Sequence, residues 1–471
     1  MLNKIFKYFR GVSEVELPKD FKTKYRTLLG EQADSFFESL SGEVQKGFRL
    51  NPLKDNYKNV ENSLETPVEY VETGYVGEVS GKTLEHQAGY IYSQDLSAMY
   101  VGEVVEAKPG EKILDLCAAP GGKSTQIVEK MANEGLIVSN EINKKRALIL
   151  AENMERTGAR NAIVLNEDPA SLAKNFEQYF DKIVVDAPCS GEGMFRKDPN
   201  AMTYWHKDYP AQCATRQREI LEETVKMLAV GGELVYSTCT FAPEEDEQII
   251  SWLLENYPYF EIVALKKYEG MDSGIPDFGN GDPALAGAVR LMPHHFKGEG
   301  HFIAKLRDTR EKQPLKKKKK RNKKAAKSIL TQDQVKLWQD FSAKTFTKEL
   351  FNKNELRCYG DYLYYYHKDW PDISTLKFMR PGLLLGVFKK NRFEPSYSLA
   401  LALRKDEVLD TIELTKNQWQ EYVAGNTVTL NDVNKKNGWY LLVCENKPFA
   451  FGKLVNKTLK NFFPKGLRFN V

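Results

Sequence analysis

Between residues 86 and 307, short apolar runs alternate with stretches whose apolar positions recur at helical spacing. Lys112–Leu116 (KILDL) predicts a strand, followed by a glycine turn and a helix over Lys123–Met131. Leu136–Ser139 predicts a second strand, and Asn143–Thr157 a helix stopped by Gly158, because glycine accepts the left-handed C-terminal position. Ala162–Leu165 and Lys182–Val185 are the third and fourth strands, the latter running into Asp186. Arg216–Leu228 reads as a helix ended by Gly231-Gly232, and Leu234–Ser237 as a fifth strand. Pro243 is the predicted start of another helix, with Glu244, Glu245 and Asp246 in its first turn, where the helix dipole favours acids. His301–Leu306 (HFIAKL) reads as a late strand at the sheet edge. This alternation predicts an α/β fold with a parallel, doubly wound sheet.

Outside this region the pattern changes. The first segment, to about residue 85, holds Phe48–Lys54, a mixture of basic and apolar residues. Near the C-terminus, Trp439–Val443 and Pro448–Val455 alternate like antiparallel strands, with a turn at Glu445-Asn446-Lys447. The 471 residues exceed what one core usually supports, and 42% hydrophobic content suits a packed interior. No run is apolar enough for a membrane span, and the first residues lack a signal-peptide pattern, so a cytoplasmic protein is expected. The net charge is +4, yet Lys316–Lys327 alone holds nine basic residues and no acid, leaving −5 elsewhere. Such a run has no apolar face to bury and reads as a linker able to hold a polyanion by counterion release.

The most informative stretch is Leu114–Ser124 (LDLCAAPGGKS), between a strand and a helix, where α/β proteins bind nucleotide-like ligands. A phosphate-binding loop needs glycine at position 117, which is Cys117, and no G-x-G-x-x-G is present. The remaining possibility is a ligand that carries adenosine without phosphate, such as S-adenosylmethionine. Glu141 closes the second strand at the position where acids bind ribose hydroxyls; Asp168 follows the third strand and Asp186 ends the fourth. Acids at strand ends often cap helices instead, but their succession along one sheet edge favours a ligand site.

Six cysteines are present, none in a C-x-x-C pair, and His294, His295 and His301 lack metal-ligand spacing, so no metal is expected. Cys213, Cys358 and Cys444 read as structural. Cys189 (DAPCSG) and Cys239 (STCT) both end strands at the binding edge. Cytosine C5 is too weak a nucleophile to attack a sulfonium methyl. A thiolate adding to C6 makes C5 enamine-like and reactive, which splits one hard step into easier ones. Asp186 is placed to serve N3, and a second thiol could assist release. On spacing alone either cysteine could be the nucleophile.

These segments bear a close resemblance to a known family. His86–Ser97 (HQAGYIYSQDLS), Asp115–Ser124, Asp186–Gly193 (DAPCSGEG) and Ser237–Glu247 (STCTFAPEEDE) are similar to motifs of the NOL1/NOP2/Sun RNA cytosine-C5 methyltransferases. Pro395–Leu401 and Lys460–Arg468 resemble the PUA-like region of its bacterial branch acting on the decoding region of 16S rRNA. The resemblance implies a Rossmann-like S-adenosylmethionine-dependent methyltransferase core making 5-methylcytosine. It implies that Cys239 attacks C6, that Cys189 helps release product, and that Asp186 completes the catalytic set. It assigns the cofactor to Cys117, Ala118, Ala119, Pro120, Gly121, Gly122 and Lys123, with Glu141, Arg146, Asp168 and Asp186. Arg49, Asn51 and Lys54 would contact RNA, as would Lys460, Lys465 and Arg468. The expected domains are 1–85 for RNA recognition, 86–307 for catalysis, 308–328 as basic linker, 329–392 as a small intermediate domain and 393–471 as a PUA-like RNA-binding domain. The expected partner is 16S rRNA or the 30S subunit, with no membrane and no metal, bound by a monomer. A tRNA methyltransferase and a non-catalytic ribosome-assembly factor are the rival readings.

Overall fold

A computed structural model describes residues 17–198, 200–311 and 330–470. The basic run at 316–327 lies outside the described residues. The centre is one twisted sheet. Strands β1 (Lys112–Asp115), β2 (Leu136–Asn140), β3 (Ala162–Leu165), β4 (Phe180–Asp186) and β5 (Leu228–Thr238) pair in parallel in the order 3-2-1-4-5, and β6 (His301–Asp308) runs antiparallel to β5. The strands form because their residues are apolar at both parities, so each contributes to two cores. Leu114, Val138, Ile163, Ile183 and Leu234 face one; Ile113, Ile137, Val164, Val184 and Val235 face the other. Helices α1 (Gly122–Lys130), α2 (Lys144–Thr157), α3 (Tyr209–Met227) and α4 (Glu247–Asn256) cover the faces. Strand order reverses between β1 and β4, which opens a crevice at their C-terminal ends.

The predicted stop at Gly158 is present, with the glycine at φ 81°. Other elements differ from expectation. Gly231-Gly232 do not end a helix but lie inside β5, and the helix before it begins already at Tyr209. Pro243 does not start α4: residues 243–246 form a turn and the helix begins at Glu247. Glu245 and Asp246 are fully buried there, Glu245 accepting from Ser190 in the loop after β4 and Asp246 from Thr238 at the end of β5.

Residues 19–39 form two helices whose Phe21, Tyr25 and Phe36 pack on Phe195, Trp205 and Phe241 of the core. Beyond the linker, Phe378–Arg380 adds to the edge of β3 as an antiparallel strand, with Arg380 buried and donating to the Ala162 carbonyl at 3.0 Å. The region read as an intermediate domain thus completes the central sheet and covers an edge that would otherwise expose unpaired backbone groups. The last sheet contains the expected hairpin, Gly438–Cys444 and Lys447–Val455, turned by two residues, Glu445 and Asn446, both at positive φ. Its core takes in Leu84, Ala88 and Tyr90, so the C-terminal sheet is seated on the chain leading into the catalytic region. Among the described residues no helix is long and apolar enough to cross a membrane.

Candidate active site

The loop from Leu116 to Gly121 leaves β1 and is pinned by its own backbone: Leu116 N–H donates to Val184 O at 2.9 Å and Ala118 N–H to Asn140 O at 2.8 Å. Gly121 turns it into α1 at φ 116°, a left-handed conformation in which a side chain would also press on Leu150. Asp115, fully buried, accepts from Ser124 Oγ at 2.7 Å; burial pushes its carboxyl up to about 7. Cys117 is part of the loop, but burial and the nearby carboxylates of Asp115, Asp186 and Glu141 push its thiol up, so it contributes backbone rather than a thiolate.

Glu141 is buried past the end of β2, accepting from Asn143 N–H at 2.8 Å. Arg146 pairs with it at 3.2 Å and donates to the Ala119 carbonyl at 2.8 Å, tying acid and loop together. Asp168 has the capping role: its carboxylate accepts from Ser171 N–H at 2.9 Å and Ser171 Oγ at 2.7 Å, and these bonds lower its pKa.

At the ends of β4 and β5 the reactive groups converge. Lys123 Nζ lies 2.7 Å from Asp186 Oδ2, and Ser237 Oγ donates to Asp186 Oδ1 at 2.8 Å. Burial would raise the Asp186 carboxyl, but Lys123, His301 and Ser237 together hold it below the ordinary range. Burial likewise opposes the charge on Lys123, yet Asp186, Asp115 and Cys239 raise it above normal, so the ammonium persists beside both carboxylate and thiol. Cys189 and Cys239, fifty residues apart in sequence, have their sulfurs 3.1 Å apart, and Cys239 N–H donates to Cys189 Sγ at 3.3 Å. The sulfur contact and burial push the Cys189 thiol well up, which keeps it protonated as a donor toward Cys239.

Behind this front lies a layer of buried acids that the motifs contain but to which the sequence reading gave no part in the site. Glu192, fully buried, accepts from Tyr25 Oη, from Trp205 Nε1 at 2.9 Å and from Thr240 Oγ1 at 2.8 Å, linking the N-terminal helices to the residue after Cys239. Glu245 accepts from Ser190 N–H at 3.0 Å and Gln217 at 2.8 Å, and burial pushes it up to about 8. Arg290 closes the layer on Glu247 and Asp246. Their signal was present as acids within DAPCSGEG and STCTFAPEEDE, but nothing local says that an acid points inward.

Three expected RNA contacts are overturned. Arg49 is 0% exposed, bonded to Glu129 and Gln94, to Thr125 Oγ1 at 2.8 Å and to the Gly122 carbonyl at 3.1 Å. Asn51 is buried and donates to Gly89 O at 2.7 Å and Thr157 O at 2.9 Å. Lys54 is buried on the Leu401 carbonyl, where burial and the Arg160 charge push it down to about 7. All three are buried against protein partners rather than presented to a phosphate. Lys460, at the end of the last strand, is exposed, as are Lys465 and Arg468 in and just after the short helical turn that follows; Phe462 between them is exposed too, its ring 4.4 Å from that of Trp439. Phe463 is buried in the core instead. Among the described residues no cluster of His, Cys, Asp or Glu has metal-holding geometry.

A parallel sheet of this order, with an acid-flanked and phosphate-free loop at its switch point, defines an S-adenosylmethionine-dependent methyltransferase. Comparisons narrow this class. The profile of 16S rRNA methyltransferase RsmB/F matches residues 103–307, and those of the RsmF N-terminal domain, first C-terminal domain and PUA domain match 17–96, 340–403 and 410–469. The ribosomal RNA small subunit methyltransferase F of Vibrio campbellii is 29% identical over 96% of this chain and 98% of its own length. The Escherichia fergusonii protein of that name is 27% identical over 96% and 97%. A crystal structure of a methyltransferase homolog protein from Pyrococcus horikoshii is 31% identical, covering 65% of this chain and 98% of that one, with TM-score 0.55. The chain belongs to the RsmB/F family of 16S rRNA methyltransferases.

Proposed function

We propose that the protein methylates C5 of a cytosine in 16S rRNA, with S-adenosylmethionine as donor and a covalent bond between Cys239 and C6 as intermediate. The observation that carries this reading is the thiol pair, Cys189 and Cys239 at 3.1 Å, next to the Lys123–Asp186 ion pair. Transfer to nitrogen or oxygen needs no such pair.

The donor set at the crevice fits the cofactor: a loop of small residues held in place at the switch point, a buried acid at Glu141 suited to ribose hydroxyls, and no phosphate cradle. When bound, it supplies an electrophilic methyl on a sulfonium. The chain's own groups do the rest. Cys239 supplies the sulfur that adds to C6, giving up its thiol proton to solvent. As this sulfur adds to C6, N3 takes a proton from solvent, and the Asp186 carboxylate accepts the hydrogen bond of the N3–H so formed; that proton returns to solvent when the product is released. The Cys189 thiol donates to the Cys239 sulfur and returns a proton to it when the C–S bond breaks. A base within folded RNA must leave its stack to reach this crevice. The exposed Lys460, Lys465 and Arg468 are suited to phosphates, with Phe462 as a stacking surface.

The test is incubation with labelled cofactor and either 16S rRNA, 30S subunits or tRNA, followed by bisulfite mapping. Label at a 16S cytosine C5 is expected. Cys239→Ala should abolish it while RNA binding persists, and Cys189→Ala should accumulate a protein–RNA adduct on a denaturing gel. Label on tRNA alone would favour the rival substrate; no label at all would favour an assembly factor.

A further inference from the structure

Cys239, Thr240 and Phe241 leave β5 in neither helix nor strand, and all three are held from one place. Gly193 N–H donates to the Cys239 carbonyl at 2.9 Å. The neighbouring Glu192 carboxylate accepts from Thr240 Oγ1 at 2.8 Å and from Phe241 N–H at 3.3 Å. A Cβ on Gly193 would come within 2.5 Å of the Gly300 carbonyl, so this clamp packs directly on the chain entering β6. Glu192 is anchored in turn from its far side. Trp205 Nε1 donates to it at 2.9 Å, and Tyr25 Oη donates from the Lys19–Leu29 helix. Burial and the Glu192 charge push the Tyr25 phenol up, which keeps it a donor. Glu192 is 0% exposed, so it cannot touch substrate or cofactor.

Two of its four donors explain why an acid stands here. Trp205 Nε1–H meets Oε1 and Phe241 N–H meets Oε2, and neither group can turn round to accept. A glutamine would set its own NH2 against one of them, whichever way its amide faced. The Tyr25 and Thr240 hydroxyls could adapt; the two N–H groups could not.

Resting on the covalent reading above, we propose that Glu192 is the positioning residue for Cys239, and that Tyr25 makes the N-terminal helices part of the catalytic apparatus. Attack needs the sulfur about 3–3.5 Å from C6 and in line with the ring orbital, and a misplacement of about 1 Å can cost about 100-fold in rate. The carbonyl of Cys239, the hydroxyl of Thr240 and the amide of Phe241 are all bonded to residues 192 and 193, so the sulfur keeps its place only while that pair keeps its own. The helices at 19–39 therefore act on the chemical step through one phenol, and not only on capture of RNA.

The test is single-turnover methyl transfer by the full chain with saturating 16S rRNA and labelled cofactor. Glu192→Gln keeps the volume but repels one fixed N–H; it should slow the step by about 10- to 100-fold, while KM for RNA and for cofactor stays within a few-fold of wild type. Tyr25→Phe keeps the ring packed and removes only the hydroxyl; it should slow the step by about 10-fold, the equivalent of one hydrogen bond. Adding Thr240→Val to Glu192→Gln should slow it little further, because both act on the same turn. Urea unfolding checks that each variant folds, and if Glu192→Gln does not, Tyr25→Phe and Thr240→Val, singly and together, replace it. A wild-type rate in a folded Glu192→Gln or Tyr25→Phe protein, a loss confined to KM, or additive effects within the pair would each overturn the assignment. Failure of the covalent reading looks different: wild type itself would place no label on cytosine C5.

Discussion

Arg49 offers the sharpest test of what the N-terminal region does. Its guanidinium is fully enclosed and binds the Glu129 carboxylate, itself 4% exposed, along with Gln94, Thr125 and the Gly122 carbonyl at the head of α1. Arg49→Ala would strand a carboxylate where water cannot reach. Breaking a buried ion pair from one side costs about 3–5 kcal/mol. A folded protein has only about 5–15 kcal/mol in total, so the variant should fold marginally. Urea unfolding of the full chain measures this, and cofactor affinity should fall with it, because the bonds to Gly122 and Thr125 position α1. The double replacement Arg49→Met with Glu129→Leu should recover much of the loss, since an apolar pair of similar volume needs no charge compensation. The reasoning is wrong if Arg49→Ala leaves stability within about 1 kcal/mol of wild type while weakening RNA binding and flattening its salt dependence. That pattern marks a phosphate contact.

Three further outcomes follow from the site. Burial raises the folded-state pKa of Asp115 to about 7, so the stability linked to its protonation is complete below the ordinary carboxylate pKa and is lost as pH rises through about 7, by roughly 4 kcal/mol at most; Asp115→Asn should flatten that slope in thermal unfolding measured at acid and alkaline pH. Lys123→Met removes the main charge holding Asp186 ionised against burial, so the stability and activity that Asp186 contributes above its pKa should be lost at a higher pH than in wild type, read as an upward shift of the acid limb in single-turnover methyl transfer. Arg380→Ala leaves the buried Ala159 and Ala162 carbonyls without their donor and should cost about 1–3 kcal/mol, with faster amide hydrogen exchange along β3 as the local signature.

The sequence by itself determined the parts that depend on neighbours in the chain. Apolar runs at both parities specify buried parallel strands, Gly158 specifies a helix end, and the loop of Cys117–Lys123 excludes a phosphate cradle by composition. The types and strand-end positions of Cys189, Cys239 and Asp186 are equally local, which is why they stand out in the sequence as candidates. Tertiary structure decided the rest. Only the sheet brings two sulfurs fifty residues apart to 3.1 Å, and only packing turns Arg49 and Lys54 inward, because a basic residue in a short motif reads the same whether it meets a phosphate or a buried carbonyl. Glu245 and Asp246 looked like helix-dipole acids until their burial against β5 fixed a turn in place of a first turn. Phe378–Arg380 joins β3 from more than two hundred residues away. Pairing and burial are set by which surfaces meet in space, and a window along the chain contains no information about the surface that will cover it.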